Sequence, residues 1–130
     1  EAGARRTIRL SVAGPFHSPL MQEAADEFEK TLSAFSFSDP KIPLFSNVTG
    51  KQVASGDEAK KSAVLHLTNP VLWTSEEAVL GTLIAGDSEN EWKVIEVGPG
   101  RVLGGLWKAT EYFEKWACSS VNTVETINSL

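Results

Sequence analysis

The chain is poor in several things at once. It has one cysteine, Cys118, in 130 residues, so it closes no internal disulfide and reads as a protein of a reducing compartment. One cysteine and two histidines are too few for a recognisable zinc site. No apolar run approaches the roughly 20 residues that a membrane-crossing helix needs, and no signal-peptide pattern opens the chain. Basic residues are outnumbered, 12 Lys and Arg against 17 Asp and Glu for a net charge of −5. The only local basic cluster is Arg5, Arg6 and Arg9, too small a face for nucleic acid. Internal repeats, low-complexity stretches, a G-x-S-x-G nucleophile elbow and a P-loop are all missing. The triplet Asn47-Val48-Thr49 matches a glycosylation sequon but carries little weight in a chain with this cysteine usage.

What remains is an ordinary globular composition, 42% hydrophobic and 22% charged, sufficient for one domain or part of one. The stretch from Ser11 to Met21 organises the rest: an apolar run, the turn Gly14-Pro15, a lone His17, then Ser18-Pro19 opening a helix. Ser18 is placed to cap that helix, and Pro19 suits its first turn because the N–H it lacks would have no partner there. A histidine at such a junction either projects into a cleft, where ligands of open α/β sheets bind, or merely satisfies a loop carbonyl. Residues Glu1 to Ala4 look like the end of a helix with Gly3 as its left-handed cap.

Periodicity lays out the elements. Residues 6–13 alternate polar and apolar, as a half-buried strand does. Leu20, Met21, Ala24, Ala25, Phe28, Leu32 and Phe35 form one helical stripe, expected in the core. Residues 42–48 read as a short buried strand with Pro43 near its start or at an edge. Ser55 or Asp57 caps a helix running to about Leu67, stopped by Asn69-Pro70. Thr74-x-x-Glu77 reads as the capping box of the next helix, which turns Ala78, Leu80, Leu83 and Ile84 inward. Residues 92–97 are a buried strand by their β-branched run, Gly98-Pro99-Gly100 turns into a helix lined by Val102, Leu103, Leu106 and Trp107, and residues 121–124 form a last strand. Strands alternating with helices argue for an α/β fold with a parallel sheet.

Few of these residues suggest chemistry by themselves. His17 is a candidate base with no nucleophile in sight, since Ser11 and Ser18 sit on no elbow pattern and Cys118 has no signature around it. Gly98-Pro99-Gly100 can be read as an anion cradle on backbone N–H groups. It lacks the G-x-G-x-x-G spacing, and its proline removes a donor. The competing reading is structural, with glycine letting the helix dock closely on the strand.

Five motifs occur in order: Ala2-Gly3-Ala4-Arg5-Arg6, Gly14-Pro15-Phe16-His17-Ser18-Pro19-Leu20-Met21, Pro43-x-x-Ser46-Asn47-Val48-Thr49-Gly50, Asn69-Pro70-Val71-x-Trp73, and Glu96-Val97-Gly98-Pro99-Gly100-Arg101-Val102-Leu103. In combination, over roughly residues 1–108, they resemble the C-terminal part of the malonyl-CoA:acyl carrier protein transacylases, an acyltransferase family also found as domains of polyketide and fatty acid synthases.

The resemblance implies an α/β-hydrolase-like large subdomain and a ferredoxin-like small one. Residues 1–13 would be the last strand of the small subdomain, and residues 14–130 the C-terminal part of the large one. It implies that His17 is the catalytic base for an upstream serine, which carries the malonyl group from malonyl-CoA to the pantetheine thiol of acyl carrier protein. It implies that the main-chain carbonyl of His66 holds the far side of the His17 ring, at a position where the bacterial pattern usually has Gln. The His66 side chain then reads as a surface or packing histidine. Phe16 matches the bulky residue that narrows the acyl pocket of malonyl-selective members, or it simply packs. Asn47 and Gly98 would shape the site from behind. No metal and no tightly bound cofactor is implied, and the compartment would be the cytoplasm, plastid stroma or mitochondrial matrix.

The serine in its G-H-S-x-G elbow, the arginine for the malonyl carboxylate and the oxyanion donors are implied to lie upstream. The chain alone is therefore expected to be inactive, and its partner to be the N-terminal half of the enzyme or a neighbouring subunit. The alternative is a non-catalytic acyltransferase-like subunit of a larger assembly. Intact Phe16-His17-Ser18 favours the enzyme; the absent elbow, His66 and an unmatched tail over residues 109–130 favour the scaffold.

Overall fold

A computed structural model describes Gly3 and residues 12–127. The strand expected over residues 6–13 falls mostly outside the described residues, and Val12 and Ala13 are not in a strand. The chain divides into two units, Glu1–Leu72 and Trp73–Leu130.

In the first unit a 3-10 turn, Pro19–Met21, leads into helix α1, Gln22–Ser33. Pro19 occupies the first turn as its missing N–H favours. Ser18 does not cap: its hydroxyl turns back and donates to the Pro15 carbonyl at 2.7 Å. The apolar stripe of α1 is less buried than its periodicity suggests, with Ala25 its only buried residue, and Leu20 and Phe35 exposed. Strands β1, Phe45–Ser46, and β2, Lys51–Gln52, pair antiparallel around a tight turn. β1 is shorter than residues 42–48 because Pro43 has no N–H to donate and because the chain turns straight after Ser46. The Ser46 carbonyl accepts from Thr49 N at 3.1 Å and Gly50 N at 2.7 Å, with Gly50 at φ 63°.

Helix α2, Gly56–Leu65, has the firmest start in the chain. Ser55 Oγ accepts from Glu58 N, the Glu58 carboxylate accepts from Ala54 N, and Asp39 accepts from Gly56 N. This is a variant of the capping box at Ser55-x-x-Glu58, with the carboxylate taking the N–H of Ala54, one residue before the cap, in place of that of Ser55. Gly56 is obligatory here, since a Cβ would lie 2.1 Å from the Phe37 carbonyl oxygen.

The second unit opens with α3, Trp73–Gly86. Because α3 already begins at Trp73, Thr74 lies within it and is not the cap that Thr74-x-x-Glu77 suggests. Glu76, Glu77, Gly81 and Ile84 are its buried residues, while Ala78 and Leu83 are exposed. Tyr112 packs against Gly81 so closely that a Cβ there would lie 2.0 Å from its ring. Strand β3, Val94–Val97, pairs in parallel with β4, Cys118–Val121, in the register Val94 with Cys118 and Val97 with Val121. The last strand thus lies three residues before the stretch 121–124, and helix α5, Val124–Ile127, follows it. β3 is not buried as its β-branched run suggests: Val97 is 80% exposed. Between the strands lies α4, Val102–Trp107, of which only Trp107 is buried. The Trp107 indole N–H donates to the Trp116 carbonyl at 2.7 Å, and its ring stacks on Tyr112. An α/β chain with a small parallel sheet is the result, with a separate antiparallel hairpin in the first unit. Among the described residues no helix is long and apolar enough to cross a membrane.

Candidate functional site

His17 sits in the turn before α1 at φ 60°, the only non-glycine residue with positive φ among those described. An L-residue in the left-handed region is strained by about 1–2 kcal/mol, and such strain concentrates at functional positions. His17 is exposed. Its Nδ1 lies 2.7 Å from the main-chain oxygen of His66, 49 residues away in sequence. A carbonyl oxygen only accepts, so Nδ1 bears the proton in this contact, and in the neutral ring Nε2 is left with the lone pair. That is the tautomer a general base requires.

His66 is held by the end of α2. It is the C-cap residue, with helical backbone angles, and its N–H donates to the Ser62 carbonyl. Its side chain is half-buried, and its ring faces His17 with centroids 4.8 Å apart and planes tilted by 41°. Nε2 of His66 is buried and has no hydrogen-bond partner among the described residues. Burial first, and the charge that His17 can carry second, push the His66 pKa below its ordinary 6.5. His66 also lines a cavity of about 200 Å³, whose walls include Leu44, Asn47, Val53 and Ala63.

Asn47 follows β1 directly. Its carbonyl accepts from Leu72 N at 2.7 Å, which ties the segment after α2 to the hairpin. Its Oδ1 is buried without a partner among the described residues. Phe16 is 56% exposed, with its ring edge over Gly14. His17, His66 and Asn47 thus belong to the first unit together, and His17 and His66 touch.

Gly98 belongs to the second unit, where it works as a turn residue. Gly98 and Gly100 have φ values of 136° and 102°, closed to most L side chains. A Cβ on either would meet nothing within 4 Å, so these glycines serve backbone conformation and not close docking. Close approach falls instead to Gly104, whose added Cβ would lie 3.2 Å from the Glu96 carboxylate and 3.4 Å from Cys118 Sγ. The anion-cradle reading of this turn fails on the same carboxylate. Glu96 already accepts from Leu103 N at 3.0 Å and Gly104 N at 2.9 Å, taking the N–H groups an incoming phosphate would need. Burial pushes the Cys118 thiol pKa up, away from nucleophilic use. No group of three or more His, Cys, Asp or Glu among the described residues is placed to hold a metal ion.

The His66 side chain is what motif reading missed: its main chain is marked by its place before Asn69-Pro70, but nothing in the spacing signals a ring contact with His17.

No protein-family model matches the chain. Curated relatives do. It is 39% identical over 107 residues to the malonyl CoA-acyl carrier protein transacylase of Synechocystis, covering 82% of this chain and 34% of that protein. It is 36% identical over 126 residues to that of Bacillus subtilis, covering 96% and 38%. Among solved structures, the Synechocystis malonyl-CoA:ACP transacylase superposes with a TM-score of 0.80 at 32% identity, over 98% of this chain and 41% of that one. The acyl carrier protein S-malonyltransferase of Vibrio cholerae gives 0.79 at 34% identity, over 98% and 39%. A malonyl-transacylase in complex with its type II polyketide acyl-carrier protein gives 0.76 at 32% identity, over 99% and 40%. The chain therefore spans only about two fifths of the length of these proteins.

Proposed function

The chain is a homologue of part of the malonyl CoA-acyl carrier protein transacylases, and on that premise we propose that it supplies the general base of such an enzyme, His17, to a serine carried outside these 130 residues. In this reading residues 14–130 belong to the α/β-hydrolase-like subdomain and residues 1–13 lead in from the ferredoxin-like one. The remaining stretch of the enzyme, in the same polypeptide or a neighbouring subunit, brings the nucleophile and the arginine for the malonyl carboxylate. The setting in this reading is the cytoplasm, or the plastid stroma or mitochondrial matrix of a eukaryote.

His17 Nε2 takes the serine proton as the serine oxygen attacks the thioester carbon of malonyl-CoA. The carbon–sulfur bond then breaks, and the imidazolium returns the proton to the departing CoA thiolate. In the second half His17 takes the proton of the acyl carrier protein thiol as its sulfur attacks the malonyl-serine ester, and gives it to the leaving serine oxygen. Each half is base-assisted nucleophilic catalysis. Phe16, beside the base, limits the acyl group by size. A neighbour solved with a bound acyl-carrier protein supports that acceptor.

The observation that carries the reading is the 2.7 Å contact between His17 Nδ1 and the His66 carbonyl, which fixes the base tautomer. The test replaces the matching segment of the Synechocystis transacylase with this chain and measures malonyl transfer from CoA to acyl carrier protein. The chimera is expected to be active, and His17→Ala to reduce the rate by about 10²–10⁴-fold. The isolated chain is expected to show no transfer. An active His17→Ala chimera would remove His17 from the chemistry and leave the non-catalytic subunit as the better description.

A further inference from the structure

The His17 ring is held by the His66 carbonyl, so whatever keeps that carbonyl free and in place also aims the ring. His66 closes α2 with helical backbone angles, and a carbonyl at that position projects from the C-terminal end of the helix. In a continuing helix its donor would be the N–H four residues on. That residue is Pro70, which has none. The three N–H groups before it are spent elsewhere, Leu67 on the Val64 carbonyl and both Thr68 and Asn69 on that of Leu65. The Asn69 side chain folds back on the same helix end, its Nδ2 donating to the Leu65 carbonyl at 2.8 Å and to Thr68 Oγ1 at 3.1 Å. We propose that Asn69 and Pro70 are positioning residues for His17: the proline leaves the His66 carbonyl without a helical donor, and the asparagine clamps the turn that points it at Nδ1.

The two neighbouring carbonyls show how the donors are shared out. That of Leu65 accepts from Thr68 N at 3.1 Å, Asn69 N at 3.0 Å, Asn69 Nδ2 at 2.8 Å and Thr68 Oγ1 at 3.3 Å. That of His66 receives none of these and accepts from the imidazole at 2.7 Å. The turn is tied down at its far end as well, where Leu72 N donates to the Asn47 carbonyl at 2.7 Å. The acceptor is therefore fixed from both sides, and the partial negative charge at the end of α2 strengthens it. The side chain at position 66 is immaterial to this, because a carbonyl is common to every residue. What the acceptor decides is the tautomer. Without it the ring proton is free to sit on Nε2, and a neutral ring protonated there has no lone pair with which to take the serine proton.

The inference rests on His17 being the base, and the two claims fail separately. In the chimera described above, Asn69→Asp keeps the size of the side chain and replaces its donating amide by an oxygen that only accepts. Pro70→Ala restores an N–H that competes with His17 for the His66 carbonyl. Each is expected to lower kcat about 10-fold with KM for malonyl-CoA unchanged. Each is also expected to move the neutral His17 ring from the Nδ1–H toward the Nε2–H form. The ¹⁵N chemical shifts of the ring at alkaline pH read this, its signals being assigned by their loss in His17→Ala. Mere loosening of the fold would lower thermal stability and leave the tautomer as it is. If His17→Ala abolishes transfer while either variant keeps the parental kcat, or loses it with the ring still in the Nδ1–H form, the base assignment stands and this inference falls. An active His17→Ala chimera defeats the base assignment instead.

Discussion

Of the turns that lead into helices among the described residues, two, one in each unit, are built on opposite terms. After β3 the chain turns through Gly98-Pro99-Gly100, where both positive φ values fall on glycine. The Gly98 N–H donates to the Val121 carbonyl, the Gly100 N–H to the Asn122 side chain, and the start of α4 is closed by the Glu96 carboxylate. Before α1 the positive φ falls on His17, and the serine placed to cap the helix donates to a loop carbonyl instead. The first arrangement satisfies its backbone locally and has no strained side chain to present. The second keeps a strained residue in place with a contact from 49 residues away. Local satisfaction marks a structural turn; strain maintained by a distant partner marks a turn that serves something other than stability.

The sharpest test of that contrast is on the glycine side. Gly98→Ala and Gly100→Ala meet no atoms within 4 Å, so any loss is conformational, about 2 kcal/mol each. The four tryptophans, Trp73, Trp92, Trp107 and Trp116, all lie in the second unit, so tryptophan fluorescence during urea unfolding reads it directly. An unchanged midpoint in both variants would mean that this turn does not need its glycines, and the contrast with His17 would collapse.

The legibility of the two turns in the sequence differs for the same reason. Gly98-Pro99-Gly100 and Ser55-x-x-Glu58 are local devices, written in neighbouring residues, and α2, β3 and α4 appear close to where pattern places them. The Ser55 cap was readable by the same rule that misassigned Thr74-x-x-Glu77: S/T-x-x-E occurs at Ser55, Thr74 and Ser88, and only the chain's path decided which became a cap. Burial was legible least. Periodicity gives a stripe but not what covers it, which is why Leu20, Phe35 and Val97 look like core in sequence and are exposed in the fold. At the site, His17 stands out by its motif. The His66 ring contact, between residues far apart in sequence, has no local trace.

A smaller effect is expected at Glu96. Its two carboxylate oxygens serve Leu103 N and Gly104 N, next to the partial positive charge of the α4 N-terminus. Glu96→Ala frees both donors and is expected to cost about 1–2 kcal/mol, in the range of a lost N-cap. Glu96→Gln keeps a neutral acceptor for one donor and is expected to lose about half as much. If Glu96→Gln proves as damaging as Glu96→Ala by tryptophan fluorescence, charge dominates over hydrogen-bond count at this turn.

The smallest effect bears on the other turn and is read by its sign. At an ordinary position glycine is less stable than alanine by about 0.5–1 kcal/mol, because the unfolded chain gains freedom. At position 17 the backbone stands at φ 60°, where alanine keeps the left-handed strain of about 1–2 kcal/mol and glycine is relieved of it. The relief exceeds the entropic loss, so His17→Gly should be the more stable of the two variants, by about 0.5–1 kcal/mol. With His17 replaced, His66 is the one histidine left, and its ring resonances follow the unfolding of the first unit without overlap. Were His17→Ala the more stable, the backbone there would not be strained, and the turn before α1 would hold its histidine no differently from any loop residue.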